Sequence, residues 1–403
     1  MRVMYKNTMY EAIGSESTEK KILGAIKSAK KFDASKENKL YRVGGVVRDE
    51  IFGAKSKDVD YLVTNVAFED LKVALSAISD KIVSTNVGES MQVIKAVIDG
   101  SEEPYDFAIP RTEVYGGSGK HDDLETFGDP SLPVESDLSR RDLTFNAIAK
   151  DVETGEYVDP FGGVADIKAG RIRAVRDPKE RFSEDPLRML RAIQFAVRFG
   201  FKLEPETLHA IRDNISLIDH ITGERILEEL KKAFTKGKSE SNESIVELLS
   251  ETGLGVHIFG RDFAPIKVTK VHGDKFVVNM MLMFARGGDF SKLKPSTEVA
   301  TAITLGRKFM KEDAFSVMLK NRAYFPFVEG MVLSIGDSAL VSKLKSLEGV
   351  PLSAKELNVD SNWLMSVGYQ GKALGDEQKR MMQAIYAKQI TNSEPELRDF
   401  VEV

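Results

Sequence analysis

Two adjacent glycines, Gly44 and Gly45, stand between a strand-like run, Leu40-Tyr41-Arg42-Val43, and a helix-like run from Val46 to Phe52, and Asp58-Val59-Asp60 follows. No other feature constrains the fold as much. Paired glycines let the backbone turn sharply and approach a bulky anion, and the helix behind them can aim N–H groups at phosphate. Arg48, one turn into that helix, can add a charge-assisted bond. Val59 to Val63 reads as a strand from its β-branched and aromatic content. Asp58 and Asp60 are then at i and i+2, with both carboxylates on one face. Such a pair beside an anion cradle suits Mg2+, which takes a few carboxylates and completes its shell with phosphate oxygens and water. Asp106, in a strand from Tyr105 to Ile109, is the candidate third carboxylate.

The surrounding pattern predicts a small α+β domain. Phe68 to Ala77 reads as a helix, and Met91 to Ile98 as a strand that turns at Asp99-Gly100. Residues 115–133 hold four Gly and two Pro and read as a mobile loop. Beyond about residue 176 strand signals fade. Asp185 to Phe199 carries Leu187, Leu190, Ile193 and Val197 at helical spacing, with Pro186 tolerated in the first turn. Leu208 to Ile218 and Arg225 to Phe234 continue the helical pattern, 237–242 reads as a linker, and 243–403 reads as mostly helical. Residues 1–38 read as a peripheral extension with one short helix. The expected division is an N-terminal extension (1–38), a catalytic head (39–175), a helical neck (176–240), a helical body (241–350) and a helical tail (351–403).

Composition narrows the class. With 403 residues, the chain has room for roughly two to four domains. There are 57 Lys and Arg against 62 Asp and Glu, a net charge of −5, which argues against a wholly basic nucleic-acid coat. A local basic stretch (Arg171, Arg173, Arg176, Lys179, Arg181, Arg188, Arg191, Arg198 and Lys202) is nonetheless a candidate path for phosphates. There is no cysteine, which excludes disulfides, thiolate zinc sites and a cysteine nucleophile, and makes a reducing, cytoplasmic setting the expectation. No apolar run approaches the ~18 residues of a membrane span, so no membrane partner is expected. The most apolar segment, Phe276 to Ala285, reads as a buried helix.

Two further constellations carry chemistry. In Leu138-Ser139-Arg140-Arg141-Asp142-Leu143-Thr144-Phe145-Asn146-Ala147, paired arginines can hold a triphosphate bidentately and the adjacent acid can take a ribose hydroxyl. A capped helix start with an internal Arg–Asp pair gives the same letters. In Glu184-Asp185-Pro186-Leu187-Arg188-Met189-Leu190-Arg191, the spacing places Asp185, Arg188 and Arg191 near one helix face. An Asp accepts and an Arg donates in a plane, so together they can read a base edge, although a surface ion pair uses the same spacing. Other motifs are missing. Gly44-Gly45 lacks the dinucleotide-binding glycine pattern, Gly119-Lys120 is followed by His121 instead of Ser or Thr, and the five histidines form no metal-binding spacing.

Taken together, these residues resemble the class II tRNA nucleotidyltransferase and bacterial poly(A) polymerase family. The resemblance extends over Val43 to Asp49 with Asp58-x-Asp60, Arg111-Thr112-Glu113, Asp137 to Ala147, Asp159-Pro160-Phe161-Gly162-Gly163 with Asp166-Ile167, and Glu184 to Arg191 with Phe195-Ala196. A weaker likeness runs from Asn362 to Asn392. The family implies a head with a five-stranded mixed sheet followed by all-helical neck, body and tail. It implies Mg2+ on Asp58 and Asp60; Asp106 stays the candidate catalytic acid of the strand reading alone. It implies nucleotide contacts from Gly44, Gly45, Arg48, Arg141, Asp142, Asp185, Arg188 and Arg191, with Asp185 and Arg188 matching the base edge of CTP or ATP. The implied reaction is addition of C, C and A to the 3′ end of tRNA without a nucleic-acid template. A poly(A) polymerase, an enzyme adding only CC or only A, and a catalytically silent RNA-binding module are the alternatives. His121-Asp122 stands alone, so no appended phosphohydrolase activity is expected. Oligomeric state is not encoded in any of these patterns.

Overall fold

The structure is a computed structural model that describes residues 16–54, 56, 58–84, 93–115, 124–237 and 239–402. Its contacts divide the chain into two compact units, Met1–Ile221 and Thr222–Val403.

The first unit begins with helix α1 (Glu16–Ser28) and strand β1 (Lys39–Val43). The Gly-Gly turn leads into α2 (Gly45–Ile51), and β2 (Asp60–Thr64) and α3 (Phe68–Ser76) follow. Next come β3 (Lys81–Ser84), β4 (Val93–Val97) and β5 (Tyr105–Ala108). A separate antiparallel ribbon pairs β6 (Arg111–Tyr115) with β7 (Leu124–Gly128). The loop expected over 115–133 is thus corrected at Tyr115 and over Leu124–Gly128. Residues 116–123, including His121, lie outside the described residues.

Then come α4 (Val134–Ser139), β8 (Ala149–Asp151), β9 (Tyr157–Val158), α5 (Gly163–Ala169) and β10 (Arg171–Ile172). The unit closes with α6 (Pro178–Glu184), α7 (Leu187–Phe199), β11 (Lys202–Leu203) and α8 (Pro205–Asp213). The main sheet has the order β3-β4-β5-β2-β1-β8-β9, seven strands where five were expected. The short strands β8 and β9 extend it beyond β1. Only β2 and β5 run parallel in it.

Strand alternation sorts the two faces. Leu40, Tyr61, Val63, Ile94, Ala96 and Phe107 point into one core, which α1 and α3 cover. Tyr41, Val43, Leu62 and Ala149 point into a second, with Val134 and Leu138 of α4. Asp60 and Asp106 share the parity of Leu62 and Ala108, so they lie on this second face.

Of the peripheral extension expected over 1–38, residues 1–15 lie outside the described residues, and α1 corrects the expectation over Glu16–Ser28. Ile22 and Ile26 are wholly buried in the first core. Glu19 accepts from Arg42 Nε and Nη2, both at 2.6 Å, and from the Tyr61 hydroxyl at 3.0 Å. Nearly every charged side chain of α1 faces outward, which made the segment look detached, while two isoleucines one turn apart seal it to the sheet.

The second unit is helical: α9 (Gly223–Lys236), α10 (Glu243–Thr252), α11 (Leu254–Phe259), α12 (Lys275–Phe284), α13 (Thr297–Lys311), α14 (Ala314–Met318), α15 (Phe325–Ile335), α16 (Ser338–Lys345), α17 (Ser361–Ser366), α18 (Gly371–Tyr386) and α19 (Glu394–Glu402). The apolar run near residue 280 is the buried helix expected: Val277 to Phe284 are all buried, and α12 packs on α9, α13 and α15. Among the described residues, no helix is long and apolar enough to cross a membrane.

Candidate active site

A cavity of about 380 Å³ opens in the first unit where three stretches of chain converge. The N-cap of α2, its first turn and the start of β2 contribute Gly44, Gly45, Arg48 and Asp60. The segment after α4 contributes Arg140, Arg141, Asp142 and Asn146. The junction of α6 and α7 contributes Asp185, Arg188, Arg191 and Phe195. Five arginines face three aspartates, so the lining attracts anions while keeping fixed acceptors.

The first wall is set by backbone conformation. Gly44 has φ +73° and ψ −129°, a region that side-chain-bearing residues rarely enter. A Cβ there would lie 2.8 Å from Arg141 Nη1 and 3.7 Å from Asp60 Oδ2. The glycine thus lets the turn sit against both charged groups. At Gly45 a Cβ would meet only Arg48 Nη2, at 3.4 Å. Arg48 is nearly buried. Its Nε donates to Asp49 at 2.8 Å, its Nη1 donates to Asn146 Oδ1 at 2.8 Å, and its guanidinium lies over the rings of Phe195 and Phe199.

The second wall is an arginine–aspartate lattice. Asp137 is fully buried and accepts from Arg140 Nε at 2.9 Å and from Arg141 Nη2 at 3.0 Å. Burial pushes its carboxyl upward, but the guanidiniums of Arg141 and Arg140 reverse that and hold it below the usual carboxylate range. Arg141 Nη1 also donates to the Asn146 carbonyl at 3.2 Å. Asp142 accepts from Arg191 Nε at 2.7 Å and from Asn146 Nδ2 at 3.1 Å. Burial opposes its charge, and Arg191 first, then Asn146, lowers its pKa on balance.

The third wall departs from the expected helical face. Asp185 is extended, at φ −141° and ψ 99°, between α6 and α7, because a residue before proline is driven out of the helical region. Its Oδ1 accepts from the Leu187 N–H at 3.2 Å. Arg188 and Arg191 do lie on α7. Arg188 Nη1 donates to Glu184 Oε2 at 2.8 Å, and its Nη2 donates to the Arg140 carbonyl at 3.0 Å. Glu184 also binds Arg181. The Arg188 guanidinium is therefore held by Glu184 and the Arg140 carbonyl.

The acidic residues divide. Asp60 begins β2 and lines the cavity, whereas Asp58 precedes the strand and is exposed, so the two do not share one strand as expected. Asp106 stands beside Asp60 in the parallel β2–β5 register, outside the cavity lining, and is held by Lys95. Burial raises the Asp60 pKa, the charge of Asp106 raises it further, and Asp58 adds to it against Arg141 and Lys95. A partly buried carboxylate repelled by two others is a place where a cation relieves repulsion, so the donor set fits Mg2+. Among the described residues, no three acidic or histidine side chains are grouped to hold a metal ion. A cation on Asp58 and Asp60 would therefore need phosphate oxygens and water to fill its shell, which is the habit of Mg2+.

Sequence reasoning gives Asn146, Phe195 and Lys95 no role. Asn146 and Phe195 sit inside motifs already noted, whereas Lys95 has no local signal. The basic run is largely engaged internally: Arg173 binds Asp166 at 2.8 Å, Lys179 binds Asp213 at 2.7 Å, and Arg181 is buried against Glu184. Arg171, Arg176 and Lys179 nonetheless stay about half exposed or more.

Two segments of the chain match known families. Residues 40–173 match the poly A polymerase head domain, and residues 200–265 match a family described as the probable RNA and SrmB-binding site of polymerase A. The Multifunctional CCA protein of Nitrosospira multiformis is 40% identical over 196 residues, 48% of this chain and 43% of that protein. A CCA-adding enzyme of Bacillus licheniformis is 37% identical over 227 residues, 55% of this chain and 52% of that protein. The chain thus spans about half the length of the curated relatives it matches. Among solved structures, the Thermotoga maritima CCA-adding enzyme complexed with tRNA aligns with a TM-score of 0.65 at 20% identity over 94% of each chain. The Bacillus stearothermophilus CCA-adding enzyme in complex with CTP aligns with a TM-score of 0.59 at 24% identity, covering 95% of this chain and 96% of that one. At such identities these structures speak to the fold alone.

Proposed function

We propose that this chain, whose residues 40–173 match the poly A polymerase head domain, is a nucleotidyltransferase that adds C, C and A to the 3′ end of tRNA from CTP and ATP. The observation that carries this reading is the meeting, in one cavity, of an anion-binding turn, a buried arginine–aspartate lattice and an Asp185–Arg188 pair. A nucleoside triphosphate has three parts to recognise, and the cavity has one wall for each. The relatives named as CCA-adding proteins support the substrate assignment.

The RNA 3′-hydroxyl attacks the α-phosphate and pyrophosphate leaves. Arg48 and Arg141 hold the triphosphate beside the Gly44-Gly45 turn. Both guanidiniums are already fixed, by Asn146 and Asp137 respectively, so little reorganisation accompanies binding. Asp142, kept ionised by Arg191, accepts a ribose hydroxyl. Asp185 accepts from, and Arg188 donates to, the edge of the incoming base, a pairing that cytosine and adenine can satisfy. Asp58 and Asp60 would hold a Mg2+, which when bound lowers the hydroxyl's pKa and neutralises charge developing on the phosphoryl oxygens. The helical neck, body and tail would grip folded tRNA by shape and phosphate contacts.

The test is extension of a tRNA lacking its 3′ CCA with each nucleotide alone and combined. Growth by two C and one A, then arrest, is expected. A long A tail would point to poly(A) polymerase instead. No extension and no Mg2+-dependent pyrophosphate release would leave only an RNA-binding module.

A further inference from the structure

Lys95 lies outside every motif of the sequence, yet it ends the row of side chains that carries the acidic groups. Lys95 is opposite Asp106 in the β4–β5 ladder, and Asp106 is opposite Asp60 in the β2–β5 ladder. Register partners project from the same face, so the order across the sheet is Lys95, Asp106, Asp60. Lys95 Nζ reaches both carboxylate oxygens of Asp106, at 2.7 and 2.6 Å. The two side chains are 37% and 30% exposed, and an ion pair so open to water contributes little to folding. Its effect is therefore sought in charge placement. A lysine is a compact point charge with donors only. With both Asp106 oxygens accepting from an ammonium, its charge is already balanced, which weakens it as a ligand for a neighbouring divalent cation.

We propose that Lys95 is a built-in counter-cation that withholds Asp106 from a divalent metal ion bound beside it, so the nucleotide-free protein offers that ion two carboxylates instead of three. This inference rests on the reading of Asp58 and Asp60 as the metal-holding pair. It makes the affinity of the site for a divalent cation a property of a strand that no motif covers.

The experiment is Mn2+ binding without nucleotide, followed by electron paramagnetic resonance and calorimetry, on wild type, K95M, K95Q, K95R and D60A. Removing one positive charge and freeing one carboxylate should tighten Mn2+ binding by about tenfold in K95M and K95Q. K95R should stay near wild type, and D60A should bind far more weakly. Melting curves report folding of each variant, and Mn2+ should raise the Tm of K95M more than that of wild type. Equal Mn2+ affinity in wild type, K95M and K95Q, with D60A still defective, overturns the role of Lys95 and leaves the carboxylate pair standing. Weaker binding in K95M than in wild type overturns it as well. Wild type binding no better than D60A overturns both.

Discussion

Arg48 Nη1 donates to Asn146 Oδ1 at 2.8 Å, joining two residues 98 positions apart at the floor of one cavity. The other end of the same amide donates to Asp142, and the Asn146 carbonyl accepts from Arg141. One residue thus sets three groups assigned to the nucleotide. Asn146→Ala should lower kcat/KM for CTP by about 10²-fold, in line with ~1–3 kcal/mol for a buried partner left unsatisfied. Asn146→Asp should do worse, because its carboxylate would replace a donor to Asp142 with a like charge. Single-nucleotide incorporation kinetics measure this, and losses within twofold would remove Asn146 from the machinery.

Acid should loosen the lattice through Asp137. Its folded-state pKa is depressed on balance, so the stability it contributes is present above the ordinary carboxylate range, about pH 4. That stability is lost as pH falls through the folded value. Asp142 acts with the same sign. Asp137→Asn should destabilise the head at neutral pH by about 3 kcal/mol, since two arginines lose a buried partner, and should flatten the acid limb of the stability curve. Denaturant unfolding across acid and neutral pH tests both, and an unchanged acid limb would count against the assignment.

The two glycines should respond differently to a methyl group. Gly44→Ala meets a positive φ and pushes on Arg141, so it should reduce activity by more than tenfold and stability by about 1 kcal/mol or more. Gly45→Ala meets only the movable end of Arg48 and should stay within a few-fold of wild type. Equal effects in steady-state assays and melts would contradict the geometry.

Helix α1 should behave as core. Ile26→Ala should destabilise the head by about 2–5 kcal/mol, the range for emptying a buried aliphatic site. Thermal unfolding gives the answer, and a change below ~0.5 kcal/mol would return α1 to the periphery.

Arg188→Ala should relax the choice of CTP and ATP over UTP and GTP by about 10-fold or more, and Arg188→Lys should not restore it, because a point charge cannot replace a planar fork. Competition assays with paired nucleotides read the ratio. Unchanged selectivity would detach Arg188 from base choice.

The segments around Gly44, Arg141 and Arg188 were legible because their residue types are unusual at that spacing and carry a chemical reason. What was not legible depended on neighbours distant in sequence. Lys95 meets Asp106 only through strand pairing, and nothing in its local context marks it. Asp185 was read as helical from its distance to Arg188, although Pro186 had already excluded that conformation. The β6–β7 ribbon was hidden because glycines beside Leu124-Glu125-Thr126-Phe127 dominated the composition. β8 and β9 have three and two residues, too short for alternation to register.

The pairing of β5 limits how this fold can vary between species. Asp106 lies on the acidic side of the sheet and Phe107, fully buried, on the oily side. Sliding β5 by a single residue would swap them, planting a carboxylate in hydrocarbon and a phenyl ring beside Asp60. Insertions or deletions between β4 and β5 must therefore be absorbed by the connecting turn, residues 98–104, while the ladder itself stays in step.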